Sequence, residues 1–247
     1  MKIHCMLALL LLGACTAENT PQPEIEAPGE KTQAPMGRDL HWMRNSAEYK
    51  AIVLQTYRLA ALQLQVLVAD KKPGTWAVAT DADETVVDTS NFTRQWDSVG
   101  RQSPSAEELW QASAARQADP PLPGAVQFLQ RVHSLGGRIA VVTNRSNANC
   151  PGLEANFLAF DIPFDIMLCK GDDPRKESRW EAVENGTTST GLPPLEIVMW
   201  LGDNIQDFPQ ADQQLRLEDE KAFSGFGEHY FAFPNPTYGS WEENSHD

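Results

Sequence analysis

The stretch WAVATDADETVVD, residues 76–88, joins an apolar run to a crowded group of carboxylates. The run WAVAT is short and apolar, which is typical of a buried β-strand. Asp81, Asp83, Glu84 and Asp88 follow it closely, and like charges at such spacing repel each other. The segment is therefore either a solvated acidic turn or a place where a cation binds.

Strands and helices alternate along the chain after this stretch. Further strands are predicted at 138–144, 164–169, 197–203 and 230–234, and helices near 124–135, 147–159 and 174–185. This alternation predicts an α/β fold with a Rossmann-like, mostly parallel sheet covered on both faces. Helical spacing also predicts an N-terminal helical region that ends before Pro73. Residues 89–122 break the rhythm and predict a small cap insertion after the first strand.

Polar side chains stand where three of these predicted strands end. They are Asp81 and Asp83, then Thr143, Asn144 and Arg145, and then Asp203 and Asn204 with Asp207 four residues after Asp203. Ligands bind beyond the carboxyl ends of parallel strands, so these groups are expected to meet at one edge. A solvated turn does not predict that convergence. Carboxylates from two strands instead form the hard oxygen site that Mg²⁺ prefers.

Asp81 and Asp83 are two residues apart, so in an extended segment both side chains face the same cleft. A carboxylate beside a bound cation can attack phosphorus and form an aspartyl-phosphate. A second carboxyl group nearby can protonate the leaving oxygen and later take a proton from water. Thr143 adds a hydroxyl donor, and this chemistry still needs a lysine for the phosphoryl oxygens.

The first residues have the pattern of a secretory signal. MKIHCMLALLLLGAC places a short apolar run before small residues and a cysteine. LGAC resembles the lipobox of bacterial lipoproteins, which makes residues 1–14 a signal peptide and Cys15 the lipidated first residue. An ordinary signal peptide cleaved near Ala14 or Ala17 is the alternative. Residues 15–37 are polar and proline-rich, as in a flexible tether, and residues 38–247 form the predicted folded domain.

The formal net charge of the chain is −14, and it becomes more negative when Lys2 leaves with the signal peptide. Such a charge disfavours nucleic-acid polymers and anionic membrane surfaces as partners. A membrane contact is therefore expected through the lipid anchor only. The charge also opposes phosphate binding unless local cations or a metal reverse the field at the site.

Cys150 and Cys169 remain once the signal and lipid-anchor cysteines are set aside. They could pair in an oxidising periplasm, but the sequence leaves their state open. Cys169 and Arg175 also have the C-x5-R spacing of cysteine-dependent phosphatases. That chemistry needs a loop of backbone N–H groups and a low-pKa thiolate, which Pro174 and the flanking aspartates oppose. Cys169 is thus the weaker alternative nucleophile.

Three motifs together resemble a known family: DADET, VVTNR and GDNIQDF. They are similar to those of the haloacid-dehalogenase-like (HAD-like) phosphohydrolases. The lipobox, SAEYKA, LPGAVQFL and PNPTYGSWE extend the likeness to the class C acid phosphatases, which are bacterial outer-membrane lipoproteins that act as 5′-nucleotidases. The resemblance implies a HAD-like core, one Mg²⁺ per chain, and hydrolysis of small phosphomonoesters such as 5′-nucleotides through an aspartyl-phosphate. It also implies an outer membrane lipoprotein of a Gram-negative bacterium, facing the periplasm or the cell surface.

The resemblance assigns roles to the acidic residues one by one. Asp81 is the nucleophile and a metal ligand. Asp83 is the general acid and base, and its backbone carbonyl binds Mg²⁺. Asp203 is a further metal ligand, while Asp207 orients the water shell of the metal. Thr85 steadies the loop.

The phosphoryl oxygens take their partners from two other segments. Thr143 holds one oxygen, and Asn144 beside it is assigned to substrate binding. Lys170 and Lys176 are both candidates for the lysine, which the family places three residues before an Arg and an aromatic residue. KESRW, residues 176–180, fits that pattern, so Lys176 is chosen and Arg179 is the Arg.

Two aromatic residues are assigned to the leaving group. Trp110 and Tyr238 fall where the family places a pair of rings that stack on a nucleoside base, although Trp110 could instead pack inside the insertion. The chain departs from the family pattern near the lysine, where Asp172 and Asp173 are inserted, and at Ala82, which replaces a bulkier apolar residue. Neither change removes a reacting group.

A rival function is a non-catalytic surface binding lipoprotein on the same fold. Relatives that lose the first aspartate become storage or binding proteins, whereas Asp81, Asp83, Thr143 and Asp203 are all present here. This set favours an enzyme. The expected partner is a small phosphomonoester, and a homodimer stays open.

Overall fold

A five-stranded, all-parallel sheet forms the centre of the structure, a computed structural model that describes residues 36–100, 105–116 and 118–246. The strands are β1 (Trp76–Thr80), β2 (Arg138–Ser146), β3 (Ile166–Lys170), β4 (Glu196–Gly202) and β5 (Tyr230–Ala232). Their order across the sheet is β3-β2-β1-β4-β5. All five predicted strands are present, so the predicted α/β class is confirmed. The described residues belong to one compact unit, Pro35–Asp247, whereas the predicted signal peptide, Cys15 and nearly all of the tether lie outside them.

Seven α-helices lie within the described ranges. They are α1 (Arg38–Asn45), α2 (Ala47–Leu67), α3 (Ser90–Val99), α4 (Ser105–Arg116), α5 (Ala125–Ser134), α6 (Cys150–Ala159) and α7 (Glu177–Glu184). The helix predicted from residue 147 begins at Cys150, because Asn147–Asn149 form a 3₁₀ turn before it. The strand predicted from residue 164 begins at Ile166. Asp165 before it bonds to Ile139 twice, since its backbone N–H donates to the Ile139 carbonyl at 3.0 Å and its carboxylate accepts from the Ile139 N–H at 2.9 Å.

The central strand β1 is buried along its whole length and separates two cores. Val78 faces the larger core, which α2, α5 and α6 cover, while Ala77 and Ala79 face a smaller core that includes Trp180 of α7. This alternation follows from the period of two in a strand. A strand flanked by two others and covered on both faces has no polar side, which explains the continuous apolar run WAVAT.

The insertion after β1 consists of α3 and α4. Its two ends pair with each other beside the acidic loop: the Asp88 N–H donates to the Pro120 carbonyl, and the Leu122 N–H donates to the Val86 carbonyl, both at 2.8 Å. The insertion is therefore anchored on the same loop that carries Asp81 and Asp83. Within the described ranges, none of the helices combines the length and the apolarity that a membrane crossing needs.

Cys150 and Cys169 form a disulfide that joins the start of α6 to β3, with a Cα–Cα distance of 5.9 Å. This finding decides the question that the sequence left open. It also removes Cys169 as a nucleophile, since a thiolate is not available in a disulfide, so the cysteine-dependent alternative is wrong. Closing a loop with a sequence separation of 19 restricts the unfolded chain and stabilises the fold by about 3 kcal/mol.

Candidate active site

The carboxyl ends of β1, β2 and β4 open into a cleft of about 390 Å³ beneath the insertion. A volume of this size is typical of sites for small molecules. Nine of the residues assigned from the sequence line the cleft: Asp81, Asp83, Trp110, Thr143, Asn144, Lys176, Asp203, Asp207 and Tyr238. The predicted convergence of distant strand ends is therefore present in the fold.

The loop after β1 turns tightly and divides the acidic stretch into two parts. The backbone N–H groups of Val86 and Val87 both donate to the Ala82 carbonyl, and Glu84 takes a left-handed conformation with φ 54°. Asp81 and Asp83 face the cleft, whereas Glu84 is fully buried and accepts a hydrogen bond from the backbone N–H of Thr89. Burial raises the pKa of Glu84 well above its usual range, and Glu84 is not among the residues that line the cleft.

Lys176 lies between two of the cleft carboxylates. Its Nζ is 2.5 Å from Asp81 Oδ1 and 2.7 Å from Asp207 Oδ1, and its side chain is only 3% exposed. Burial opposes the positive charge, but the carboxylates of Asp207 and Asp81 together raise the pKa of Lys176. Of the two candidate lysines, Lys176 is the one in the cleft, and Lys170 is not among the residues that line it.

Three carboxylates form a group that could hold a cation. One oxygen from each of Asp81, Asp203 and Asp207 lies within 4.8 Å of the others. Burial raises the pKa of Asp81 to about 7, against the effect of Lys176, and Asp207 and Asp83 raise it further. Burial likewise raises the pKa of Asp203, with contributions from Asp207 and Asp81. Carboxylates that are this crowded and this reluctant to ionise fit a divalent cation, which prefers oxygen ligands and would offset their repulsion.

Asp207 is itself a member of this carboxylate group. The family resemblance had instead assigned it to orienting the water shell of the metal. The approach of Asp207 depends on Gly202 at the end of β4, because a Cβ there would lie 2.1 Å from the Cβ of Asp207. The backbone N–H of Asn204 donates to Asp207 Oδ2 at 2.9 Å and fixes the side chain. The carboxylate of Asp83 is not in the group, so it is free for a role other than metal binding.

Asp203 is oriented by two hydrogen bonds. Thr85 Oγ1 donates to Asp203 Oδ1 at 3.1 Å, and Asn235 Nδ2 donates to Asp203 Oδ2 at 2.8 Å. Thr85 was expected to steady its own loop, and here it also orients a carboxylate of the cation group. Asn235 was missed, although it lies in the segment PNPTYGSWE that carries part of the family resemblance.

Arg145 was also given no role, although it lies in the motif VVTNR. Its side chain is 1% exposed. Its Nε lies 3.0 Å from both carboxylate oxygens of Asp83, and its Nη2 lies 2.5 Å from Asp83 Oδ1 and 3.1 Å from Asp119 Oδ2. The guanidinium carbon is 4.8 Å from the ring centroid of Trp110. Arg145 therefore joins the acidic loop to the insertion.

Arg179 is not among the residues that line the cleft, and its assignment to substrate binding stays a prediction. Its Nη1 donates to the Thr143 carbonyl at 2.5 Å, and its Nη2 donates to Asn144 Oδ1 at 2.7 Å. Arg179 thus lies behind the end of β2 and holds Thr143 and Asn144 in place. The sequence does not distinguish binding of a substrate from holding Thr143 and Asn144 in place, because a guanidinium group serves both roles with the same N–H donors.

Four aromatic side chains line the cleft and are called the aromatic wall. It consists of Phe92, Trp96, Trp110 and Tyr238. Trp110 packs edge-on against Phe92 inside the insertion, with centroids 4.3 Å apart, and it also lines the cleft. Its role in stacking on a base stays a prediction. Phe92 and Trp96 were missed as site residues because apolar residues on a helix are normally core residues.

Comparisons with known proteins agree with this site. A family model for the HAD superfamily, subfamily IIIB (Acid phosphatase), matches residues 13–241. A solved structure of the class C acid phosphatase from Bacillus anthracis is 27% identical with a TM-score of 0.72, over 83% of this chain and 85% of that chain. A crystal structure of class C acid phosphatase from the same organism with tungstate bound is 25% identical with a TM-score of 0.71, over 84% of this chain and 90% of that chain.

Proposed function

The chain belongs to the acid phosphatases of HAD subfamily IIIB and is a phosphoric monoester hydrolase, and from this premise we propose that it is a Mg²⁺-dependent 5′-nucleotidase that forms an aspartyl-phosphate on Asp81. The observation that carries the proposal is the buried Lys176 between Asp81 and Asp207, beside Asp203. The family match and the complete set of reacting groups favour this enzyme over the non-catalytic binding lipoprotein.

Two proton transfers and two displacements make up the proposed reaction. In the first displacement, a carboxylate oxygen of Asp81 bonds to phosphorus, the bond to the ester oxygen breaks, and Asp83 gives that oxygen a proton. In the second, water attacks phosphorus, Asp83 takes a proton from the water, and the bond to Asp81 breaks. Lys176 and Thr143 offer positive charge and a hydroxyl to the phosphoryl oxygens.

Asp81, Asp203 and Asp207, with the backbone carbonyl of Asp83, would hold the cation. A bound divalent cation supplies positive charge against the phosphoryl group and against the crowded carboxylates. HAD phosphatases are typically metal-dependent enzymes, and Mg²⁺ is proposed because every available donor is an oxygen.

The aromatic wall supports a nucleoside as the leaving group. A base that stacks on an aromatic side chain contributes about 1–3 kcal/mol to binding. Trp110 and Tyr238 line the cleft with Phe92 and Trp96, so the same cleft presents aromatic rings and charged groups. This combination matches a nucleotide, which has an aromatic base at one end and a phosphate at the other.

Metal removal and substrate choice test the proposal together. We expect treatment with a chelator to lower phosphate release from a 5′-nucleotide at mildly acidic pH by about hundredfold or more, and added Mg²⁺ to restore it. We expect kcat/KM for glycerol phosphate, which lacks a ring, to be lower than for the nucleotide by about tenfold or more. Full activity in chelator would contradict the metal role, and equal kcat/KM for the two esters would contradict the nucleotidase role alone.

A lipid anchor on Cys15 is proposed for the exported chain. Its support is the sequence LGAC after an apolar run, followed by a polar, proline-rich segment. Mass spectrometry of the N-terminal peptide from the membrane fraction is expected to show residue 15 as the first residue, carrying acyl chains. An unmodified first residue after a cut near Ala14 or Ala17 would instead indicate an ordinary signal peptide and a soluble exported enzyme.

A further inference from the structure

Arg145 is enclosed in the protein and makes its shortest hydrogen bond with Asp83. We propose that Arg145 is a positioning residue that orients the Asp83 carboxyl group for proton transfer to the leaving group. The inference rests on the proposed function, because it takes Asp83 as the acid of the reaction. It assigns a task to a residue that lines the cleft but does not belong to the cation group.

The hydrogen bonds of Arg145 distinguish the two oxygens of Asp83. Oδ1 lies 3.0 Å from Nε and 2.5 Å from Nη2, whereas Oδ2 has, among the described residues, a hydrogen bond only from Nε, at 3.0 Å. Oδ1 is therefore the anchored oxygen, and Oδ2 is the one with capacity left to carry a proton. Oδ1 can keep its bond to Nη2 whether or not Oδ2 is protonated, so one arrangement serves the acid and the base form of Asp83.

Arg145 can orient Asp83 because Arg145 itself is held on several sides. Its Nη2 donates to Asp119 Oδ2, and its guanidinium lies over the ring of Trp110. The backbone of Asp119 is held in turn by Asn156, whose Oδ1 accepts from the Asp119 N–H at 3.0 Å and whose Nδ2 donates to the Asp119 carbonyl at 2.8 Å. A planar guanidinium held in this way cannot reorient as an ammonium group can.

The orientation of Asp83 by Arg145 affects the rate of the first displacement of the proposed reaction. As the bond between phosphorus and the ester oxygen breaks, the electron pair stays on that oxygen, and the proton moves to it from Asp83 Oδ2. An acid displaced by about 1 Å from its productive position loses about hundredfold in rate. The loss falls on esters with basic leaving groups, since a weakly basic leaving group departs without a proton.

The test compares phenyl phosphate with 4-nitrophenyl phosphate, two aryl esters of similar size whose leaving groups differ in basicity. The enzyme is the mature chain with Mg²⁺, and the measured quantity is the ratio of the two kcat/KM values. This ratio does not depend on how much of a variant is folded. We expect Arg145→Gln to lower the phenyl to nitrophenyl ratio by about tenfold to hundredfold, and Asp83→Asn to lower it by about hundredfold or more.

Two further variants show whether Arg145 acts through Asp83. In the double variant Asp83→Asn/Arg145→Gln we expect the ratio of Asp83→Asn alone, because the group that Arg145 orients is already lost. Arg145→Lys keeps the positive charge but loses the planar set of N–H donors of the guanidinium group, and we expect its ratio to stay below that of the wild type. Arg138→Gln, which loses an ion pair with Asp165 far from the cleft, is the matched control with an unchanged ratio.

The outcomes separate the inference from the proposed function. A wild-type ratio in Arg145→Gln or Arg145→Lys, alongside a lowered ratio in Asp83→Asn, would overturn the positioning role alone. An Arg145 effect of full size in the Asp83→Asn background would overturn it as well. An unchanged ratio in Asp83→Asn would remove the acid role of Asp83 and the inference with it.

Discussion

Asp81→Asn is expected to lower kcat/KM for a 5′-nucleotide by about 10⁴-fold or more, the scale seen when a nucleophile is removed. Asn has nearly the same shape as Asp, but its carboxamide is a far weaker nucleophile than a carboxylate, so no aspartyl-phosphate forms. Asp81 is held by the backbone bond from its N–H to the Leu201 carbonyl, 2.9 Å away, which the substitution keeps. The measurement is phosphate release at saturating Mg²⁺.

Asp165→Asn is the matched control for this variant. The Asp165 side chain is 11% exposed, close to the 10% of Asp81, and it pairs with His133 and Arg138 away from the cleft. We expect its kcat/KM to stay within a few-fold of the wild type. Wild-type activity in Asp81→Asn would rule out the aspartyl-phosphate route.

Asp81→Asn is also expected to raise the thermal stability of the metal-free protein, although it lowers the activity. Burial raises the pKa of Asp81 to about 7 in the absence of a cation, so the folded state binds a proton there more tightly than the unfolded chain, in which Asp titrates near pH 4. Ionisation of Asp81 therefore destabilises the metal-free fold increasingly as the pH rises from about 4 to 7. In chelator above pH 7 we expect Asp81→Asn to unfold at a higher temperature than the wild type, with the difference vanishing below about pH 4. An unfolding temperature below that of the wild type above pH 7 would contradict the raised pKa of Asp81.

Lys176→Gln is expected to lower kcat/KM by about 10³-fold, because preorganised positive charge is among the largest contributions to phosphoryl transfer. The substitution also removes the cation that Asp81 and Asp207 share. Breaking a buried ion pair destabilises a fold by about 3–5 kcal/mol, so kinetics are measured on protein shown to be folded in the presence of Mg²⁺.

Lys170→Gln is the matched control, since it removes the other candidate lysine. Lys170 is the last residue of β3 and does not line the cleft. We expect it to keep near wild-type kcat/KM. If Lys170→Gln lost activity and Lys176→Gln kept it, the assignment of the lysine would be reversed.

The strands and the acidic loop could be predicted from the sequence because both are local patterns. A run such as WAVAT indicates a buried strand through its own composition, and an aspartate at its end indicates a ligand edge once the strands are parallel. The aspartates on β1 and β4 were found in this way. Lys176 has no such signal, and its choice over Lys170 depended on the family pattern in KESRW.

The partners of these residues could not be predicted, because they come from distant parts of the chain. Arg145 meets Asp83 across 62 residues, and Thr85 meets Asp203 across 118. Neither pair has a spacing that a local pattern can reveal. The bonds of Arg179 to Thr143 and Asn144 and the missed Asn235 have the same cause, since a polar side chain can bind substrate or another residue with the same atoms.

The sequence by itself determined the fold class and the family, since burial periodicity and the ordered motifs are written in consecutive residues. Three further features were decided by the tertiary structure alone. They are the Cys150–Cys169 disulfide, the place of Asp207 in the cation group and the enclosure of Arg145. Each of these depends on the distance and direction between side chains on different strands and helices. Those distances are set by packing of the sheet, the helices and the insertion, which no single stretch of the chain contains.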